Sequence, residues 1–253
     1  MHSRIFGLVY GGISYLIFFL AFNYAILFIG NIFVPVGLDS VATQGNIINA
    51  ILINIVLISL FGIQHSVMAR PKFKQWLTQF IPAHLERSTY VLISTLFFVP
   101  LIFFWQPMGG IIWQFEDPIL VGGIYAVFGI GWGILFLASF QLNHFNLFGL
   151  RQVWLHFRGQ EYTHLPFQTP WLYSYMRHPL YVGLLIGLWA APTMTVTHLT
   201  LALACTLYVK VGSHYEEQDL KDHLPEYSQY REEVPAFIPG IQSNKYITNE
   251  SEA

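Results

Sequence analysis

The chain has 253 residues, of which 54% are hydrophobic and only 10% are charged, and its formal net charge is −2. This composition is too apolar for a soluble domain and indicates a polytopic membrane protein. The net charge near zero gives no reason to expect a nucleic-acid partner. A single cysteine, Cys205, excludes a disulfide framework and a zinc site built from cysteines.

Four apolar stretches, 5–30, 47–67, 88–104 and 119–140, predict transmembrane helices, since about 20 residues of helix cross the hydrocarbon layer. A polar, aromatic segment at 141–176 follows them. Two shorter apolar stretches, at 180–191 and 199–211, then predict a helical hairpin whose arms are both short for full spans. We therefore expect an all-α polytopic membrane protein with four transmembrane helices, a C-terminal hairpin (five to six membrane segments) and a short cytoplasmic tail.

The positive charges predict one orientation. If the amino terminus is cytoplasmic, every Lys and Arg falls in a cytoplasmic segment. The other side then holds only Asp39, Glu116 and Asp117. The positive-inside rule selects this topology, with both termini in the cytoplasm.

The hairpin should bring distant polar residues together, because a hairpin returns both of its ends to one membrane surface. Arg177 and His178 precede its first arm, and Glu216 and Glu217 follow its second arm. Adjacent carboxylates near hydrocarbon need a cationic partner. Either Arg177 or the ammonium or sulfonium group of a ligand would serve, and the residues alone leave both possibilities open.

The start of the first arm has the features of a helix end that can hold an anion. Pro179 suits the first helical turn, because its missing N–H would be unpaired there. The free N–H groups of such a turn favour a carboxylate, and Tyr181 lies one turn further on. Gly183 and Gly187 are spaced as GxxxG and predict a close approach by the second arm or by a ligand.

These motifs resemble a known superfamily. RHPLYVG at 177–183, a short hairpin, the glutamate pair and a Tyr-x-x-Tyr-x-x-x-Val-Pro tail at 227–235 are similar to the isoprenylcysteine carboxyl methyltransferase superfamily of membrane methyltransferases. Further motifs at 64–71, 86–91, 143–154 and 192–199 resemble the methanethiol S-methyltransferase family within it. NnrU-like proteins linked to denitrification share much of this framework.

The resemblance implies an enzyme of the bacterial cytoplasmic membrane that moves a methyl group from S-adenosyl-L-methionine to a small thiol, methanethiol, giving dimethyl sulfide. Residues 1–140 would be its N-terminal transmembrane helices, 141–239 its cofactor-binding core with the hairpin, and 240–253 a disordered tail. No obligate protein partner is inferred, and a lipid or a larger thiol is an alternative acceptor. The implied cofactor-binding residues are Arg177, His178, Pro179, Tyr181, Gly183, Glu216 and Glu217.

The thiol site is a separate hypothesis. Displacement at a sulfonium methyl group needs a thiolate held in line with it, and no enzyme nucleophile. His65 and His144 are candidate bases because histidine titrates near neutrality, and the charges of Arg87 and Arg151 would lower the pKa of the thiol. For each histidine, a hydrogen bond to a neighbouring carbonyl is an equally good interpretation.

Two other classes of protein are alternatives to the enzyme. An NnrU-like metal or haem protein of nitrogen-oxide metabolism would use the histidines of the polar segment, His144, His156, His164 and His178. Their spacing fits no usual ligand pattern, and we expect no metal. A transporter would need polar residues at mid-membrane, where only Asn23 and Asn54 are suitable.

Overall fold

The computed structural model describes residues 2–40 and 46–240. Within those two ranges the chain forms eleven helices and two short strands. The helices are α1 (His2–Gly30), α2 (Ile47–Ala69), α3 (Pro71–Leu77), α4 (Ala83–Phe103), α5 (Pro118–Gln141), α6 (His144–Leu147), α7 (Leu150–Arg158), α8 (Leu172–Tyr175), α9 (Pro179–Trp189), α10 (Val196–His223) and α11 (Pro225–Glu233). The strands are β1 (Ile111–Gln114) and β2 (Thr193–Thr195). Apart from Gly240, the tail predicted to be disordered lies outside the described residues.

Five helices, α1, α2, α4, α5 and α10, are long and apolar enough to cross a membrane. Much of their apolar surface faces outward: Leu20, Ile48 and Leu60 are each more than half exposed on the isolated chain. Side chains of this kind face lipid in a membrane protein, because hydrocarbon replaces the protein core as their apolar surroundings. The prediction of an all-α polytopic membrane protein is confirmed.

The hairpin differs from its prediction in the length of its second arm. α10 has 28 residues and continues to His223, well beyond the predicted end at 211. Glu216 and Glu217 therefore lie within the helix, in its polar last turns, and do not follow it. The first arm, α9, is short as predicted, with 11 residues and Pro179 at its first turn.

A small antiparallel sheet, which the sequence analysis did not predict, ties the turn of the hairpin to the loop before α5. β1 pairs with β2, with Ile111 opposite Thr195 and Gln114 opposite Thr193. The strands are too short to leave a recognisable alternating pattern in the sequence. Their pairing fixes where α10 begins.

The same turn is held by a buried carboxylate from the loop after α1. Asp39 accepts hydrogen bonds from the backbone N–H and the hydroxyl of Thr195, at 3.1 and 2.7 Å, and from Nδ1 of His198 at 2.8 Å. Nε2 of His198 donates to the carbonyl of Leu188 at 2.8 Å. Burial raises the pKa of Asp39, but the hydrogen bond and charge of His198 outweigh that effect and hold the pKa below its ordinary value.

The closest helix contact joins α5 and α9 through glycine. A Cβ atom added to Gly183 would lie 2.6 Å from the backbone of both Gly131 and Leu135. One added to Gly187 would lie 2.7 Å from the ring of Trp132. The predicted close approach at GxxxG is therefore present, but its partner is α5 and not the second arm of the hairpin.

One end of the bundle, which we call the basic end, is where α1, α4 and α9 begin and α2, α5 and α10 end. Tyr10 and Thr89 are joined there by a 3.0 Å hydrogen bond, and Arg70 and Asp219 by a 2.6 Å ion pair. The half of the bundle nearer this end carries the described basic residues Arg4, Arg70, Lys72, Lys74, Arg87, Arg151, Arg158, Arg177, Lys210, Lys221 and Arg231.

Candidate functional site

The two ends of the hairpin meet at the basic end around the carboxylate of Glu217. Its Oε1 lies 2.8 Å from Nη2 of Arg177 and 2.9 Å from Nε2 of His178, and its Oε2 lies 3.0 Å from Nε of Arg231. The Glu217 side chain is only 10% exposed, and that of Arg177 only 5%. The cationic partner that these carboxylates require thus comes, for Glu217, from the protein itself.

Arg177 also binds the segment that follows α11. Its Nη1 donates to the backbone oxygens of Arg231, at 3.0 Å, and of Val234. The backbone N–H groups of Arg177 and His178 donate to the oxygens of Pro235 and Ala236, at 2.9 and 3.0 Å. The guanidinium is therefore directed at the protein, and its contacts hold the C-terminal segment against the start of α9.

Glu216 has a different environment from its neighbour. Its Oε2 accepts a hydrogen bond from the Tyr181 hydroxyl at 2.9 Å and lies 3.9 Å from Nδ1 of His178. Nearly half of its side chain, 47%, is exposed. Of the glutamate pair, Glu216 is thus the carboxylate that remains open to a ligand.

A cavity of about 650 Å³ opens beside these residues. Its walls come from the end of α5, from α6, from the loop before α8, and from α10 and α11. The lining residues are Phe140, Gln141, Leu142, Asn143, His144, Phe145, Leu165, Pro166, Phe167, Gln168, Tyr173, Arg177, His178, Glu216, Leu220, Leu224, Tyr227 and Tyr230. This volume lies within the range of ligand sites, roughly 300–1,000 Å³, and aromatic rings with a few polar groups are typical of them.

The tyrosines of the cavity keep their protons at neutral pH. Burial raises the pKa of Tyr230 to about 12 and also raises the pKa of Tyr173 and Tyr227. The nearby charge of Glu217 acts in the same direction on Tyr227 and Tyr230. The cavity therefore presents neutral hydroxyls and rings around the Glu216 carboxylate.

His144 also lines this cavity and is only 3% exposed. Its Nδ1 is 2.8 Å from Oγ of Ser139 and its Nε2 is 2.8 Å from the hydroxyl of Tyr15. The Phe140 ring stacks on its imidazole with centroids 4.4 Å apart. Burial lowers the pKa of His144 and so favours the neutral ring.

The other candidate residues of the thiol site do not line this cavity. His65 contacts Tyr90, whose hydroxyl is 3.0 Å from Nε2. Arg87 donates from Nε to the carbonyl of Leu147 at 2.6 Å, where it supports the end of α6. Arg151 donates hydrogen bonds to the carbonyl and hydroxyl oxygens of Thr163, both at 2.8 Å.

Two of the predicted cofactor residues have contacts within the helix bundle. Pro179 is buried at the first turn of α9, and Gly183 lies against α5. Of the seven predicted cofactor-binding residues, three line the cavity, Arg177, His178 and Glu216, and four do not, Pro179, Tyr181, Gly183 and Glu217.

Three residues of the site, Arg231, Tyr15 and Ser139, were not predicted from the sequence. Arg231 lies four residues after Tyr227 on α11, and this helical spacing is a signal that could have placed it beside the buried tyrosines. Tyr15 contacts His144 across 129 residues of chain, and nothing in the local sequence indicates that pairing.

Of the histidines considered as metal ligands, His144 and His178 line the cavity, and His156 and His164 do not. His156 stacks on His84 with centroids 3.6 Å apart, and His164 contacts the ring of Tyr162. Among residues 2–40 and 46–240, no three His, Cys, Asp or Glu side chains are grouped so that they could hold a metal ion.

The fold and the site together define a polytopic helical membrane protein with a ligand cavity at one end of its bundle, lined by an open carboxylate, aromatic rings and a buried histidine. A protein of Crocosphaera subtropica named methanethiol S-methyltransferase is 48% identical to the chain over 242 residues, which is 94% of each protein. A protein of the same name from Mycobacterium tuberculosis is 42% identical over 238 residues, covering 94% of this chain and 97% of that one.

The chain belongs to the methanethiol S-methyltransferase family, as its motifs indicated. It also resembles Nurim of Sus scrofa, with 32% identity over 177 residues, 65% of this chain and 66% of that protein. No protein-family model matches the chain, and no solved structure matches it. These relatives favour the methyltransferase over a metal or haem protein of the NnrU type.

Proposed function

We propose that this protein transfers a methyl group from S-adenosyl-L-methionine to methanethiol, giving dimethyl sulfide and S-adenosylhomocysteine. The observation that carries the proposal is the single cavity that joins the open carboxylate of Glu216 to the buried imidazole of His144. Relatives that are 48% and 42% identical over nearly the whole chain and bear the name methanethiol S-methyltransferase support the choice of reaction.

The residues of the cavity fit this methyl donor. The donor has a cationic ammonium group and a flat adenine ring, and it supplies an activated methyl group on a sulfonium. We assign Glu216 to the ammonium, because it is the half-exposed carboxylate of the pair. The rings of Phe140, Phe167 and Tyr227 offer faces for an aromatic ligand. Glu217 and Arg177 hold the wall of the cavity.

The thiol must lose its proton before it attacks, because the thiolate is the nucleophile. Of the four candidates, His65, His144, Arg87 and Arg151, only His144 lines the cavity. Burial keeps its ring neutral and thus able to accept a proton. We therefore assign His144 as the base, and His65, Arg87 and Arg151 to the support of the surrounding helices and loops.

The basic end is proposed to face the cytoplasm of a bacterium, where the methyl donor is made. Both termini would then be cytoplasmic, since α1 begins and α10 ends at that end of the bundle. Support comes from the clustering of basic residues there, opposite Asp39, Glu116 and Asp117.

The proposal is tested by headspace gas chromatography on membranes that contain the protein, supplied with methanethiol and S-adenosyl-L-methionine. The parent should form dimethyl sulfide, Glu216→Gln should form little, and Glu226→Gln, which changes an exposed glutamate on α11, should match the parent. Binding of the methyl donor without dimethyl sulfide would overturn the choice of acceptor. If the folded protein neither binds the methyl donor nor forms dimethyl sulfide, the enzyme assignment is overturned.

A further inference from the structure

The loop between α7 and α8, residues 160–170, forms part of the cavity wall without any regular structure. It contains neither helix nor strand, and Pro166 and Pro170 lack the N–H group that either would use. Residues 160–166 are all exposed, and residues 165–168 line the cavity. The α7–α8 loop is therefore both exposed to solvent and part of the ligand site.

Backbone hydrogen bonds do not hold this loop in place. Among the described residues, no N–H or carbonyl group of 161–169 bonds to another backbone group. The nearest such bonds on either side are donated by Gln160 to Leu155, at 2.9 Å, and by Tyr173 to Pro170, at 2.8 Å. Segments with so few backbone bonds open at a low cost in free energy. The position of the loop therefore depends on its side-chain contacts.

Arg151, on the first turn of α7, makes one of these contacts. Its Nη1 donates to the carbonyl of Thr163 and its Nη2 to the hydroxyl of Thr163, both at 2.8 Å. The guanidinium also lies over the ring of Tyr162, 5.2 Å from the centroid. The Tyr162 hydroxyl donates to Oδ1 of Asn146 at 3.2 Å. Two neighbouring residues of the loop are thus attached to α6 and α7.

Phe167 makes a second contact, four residues further along the loop. Its ring meets those of Tyr227 and Tyr230 edge to face, with centroids 6.2 and 5.5 Å apart. All three rings line the cavity. A ligand in the cavity therefore meets Phe167, and the loop determines where that ring lies.

α7 provides a firm base for the contact with Arg151. Its Val153 is fully buried, and a Cβ added to Gly11 of α1 would lie 2.6 Å from that side chain. The loop, in contrast, is followed by Trp171, whose φ of 25° is strained for a residue with a side chain. Such a backbone conformation persists only where surrounding contacts hold it.

We propose that Arg151 is a positioning residue that keeps the α7–α8 loop closed over the bound methyl donor, so that Phe167 stays against the donor. This inference rests on the proposed function. Arg151 does not line the cavity, and it acts on the donor through Thr163 and Tyr162. Release of the loop opens the cavity wall at 165–168, where S-adenosyl-L-methionine enters and S-adenosylhomocysteine leaves. Loops that cover a ligand commonly control its exchange in this way.

The test compares Arg151→Ala with Arg158→Ala in purified protein. Arg158 is exposed on the last turn of α7, so the control removes the same side chain from the same helix. Dissociation of radiolabelled S-adenosyl-L-methionine is followed after a chase with unlabelled donor, without methanethiol. Arg151→Ala should release the donor about tenfold faster, because it loses two hydrogen bonds to a charged group. Arg158→Ala should match the parent.

Thr163→Val changes the same contact from the side of the loop. It removes the hydroxyl that Nη2 of Arg151 binds, and it keeps the carbonyl that Nη1 binds. With one bond of two removed, the donor should dissociate about threefold faster than from the parent. In both variants the KM for the donor should rise and kcat should not fall, because neither side chain touches a reactant.

Limited proteolysis gives a readout that needs no donor. Chymotrypsin cleaves after aromatic residues, here Tyr162 and Phe167, and exposed mobile loops are its preferred sites. It should cut Arg151→Ala within 160–170 faster than it cuts the parent or Arg158→Ala. Fragment masses identify the position of the cut.

A purely structural role for Arg151 would lower the melting temperature and leave donor dissociation unchanged. That result would overturn the inference alone, as would parent rates of dissociation in Thr163→Val, which decides the matter if Arg151→Ala does not fold. A folded parent that binds no donor would overturn the proposed function, and the inference with it.

Discussion

Glu216 and Glu217 are adjacent in sequence, yet the structure gives them opposite environments. Glu217 is enclosed by Arg177, His178 and Arg231, and Glu216 is half exposed beside Tyr181. Successive residues on a helix point about 100° apart, so one can face the protein and the next a cavity. The pair therefore combines a structural carboxylate with one available to a ligand.

The first prediction separates these two roles by neutralising each glutamate in turn. Glu217→Gln leaves the buried guanidinium of Arg177 without a charged partner, and breaking a buried ion pair costs roughly 3–5 kcal/mol. We expect a lower melting temperature in detergent and a low yield of folded protein. Glu216→Gln should have the same melting temperature as the parent. It should instead weaken donor binding by about 10- to 100-fold, since a hydrogen bond to a charged group contributes about 1.5–3 kcal/mol.

Thermal unfolding in detergent and titration with S-adenosyl-L-methionine measure the two effects. Each variant serves as the control for the other, because the substitution is the same at adjacent positions. If Glu217→Gln melts like the parent and loses only donor binding, then Glu217 is the ligand-binding carboxylate, and the assignment is reversed.

At the scale of elements, the contact between α5 and α9 sets the geometry of the site. The last residue of α5, Gln141, leads within three residues to His144, and the first residue of α9, Pro179, directly follows Arg177 and His178. The spacing of the two helices thus fixes the width of the cavity between these groups.

The second prediction concerns a substitution that pushes α5 and α9 apart. Gly183→Ala would place a methyl group 2.6 Å from backbone atoms of Gly131 and Leu135, which cannot rotate away. Overpacking of this kind costs about 1–3 kcal/mol, and occasionally more. The variant should melt at a lower temperature than the parent and lose activity, as measured by thermal unfolding and by dimethyl sulfide formation.

The control lies on α5 itself, where a Cβ at Gly133 would meet nothing within 4 Å. Gly133→Ala should melt at or slightly above the temperature of the parent, because alanine favours the helix. Equal melting temperatures for Gly183→Ala and Gly133→Ala would show that α5 and α9 are not packed so closely that only glycine fits at position 183.

At the scale of the whole molecule, hydropathy predicted the spans, and the hairpin geometry predicted that Arg177 and Glu217 would meet. The predicted end of α10 was wrong because the apolar run stops at 211, whereas the helix continues through a polar stretch, held there by contacts of Glu217 with Arg177 and α11. The pairing of β1 with β2 and the contact of Tyr15 with His144 depend on long-range packing. No local pattern encodes either of them.

The third prediction tests the orientation of the bundle, which decides whether the cavity faces the supply of methyl donor. In a Cys205→Ala background, single cysteines replace Glu116, exposed before α5, and Arg158, exposed at the end of α7. The positive-inside rule puts Glu116 outside the cytoplasm and Arg158 within it. In intact spheroplasts a membrane-impermeant maleimide should therefore label Glu116→Cys at once and Arg158→Cys only after permeabilisation. The reverse pattern would place Glu216 and His144 on the outer face, away from cytoplasmic S-adenosyl-L-methionine, and would contradict both the orientation and the proposed supply of the methyl donor.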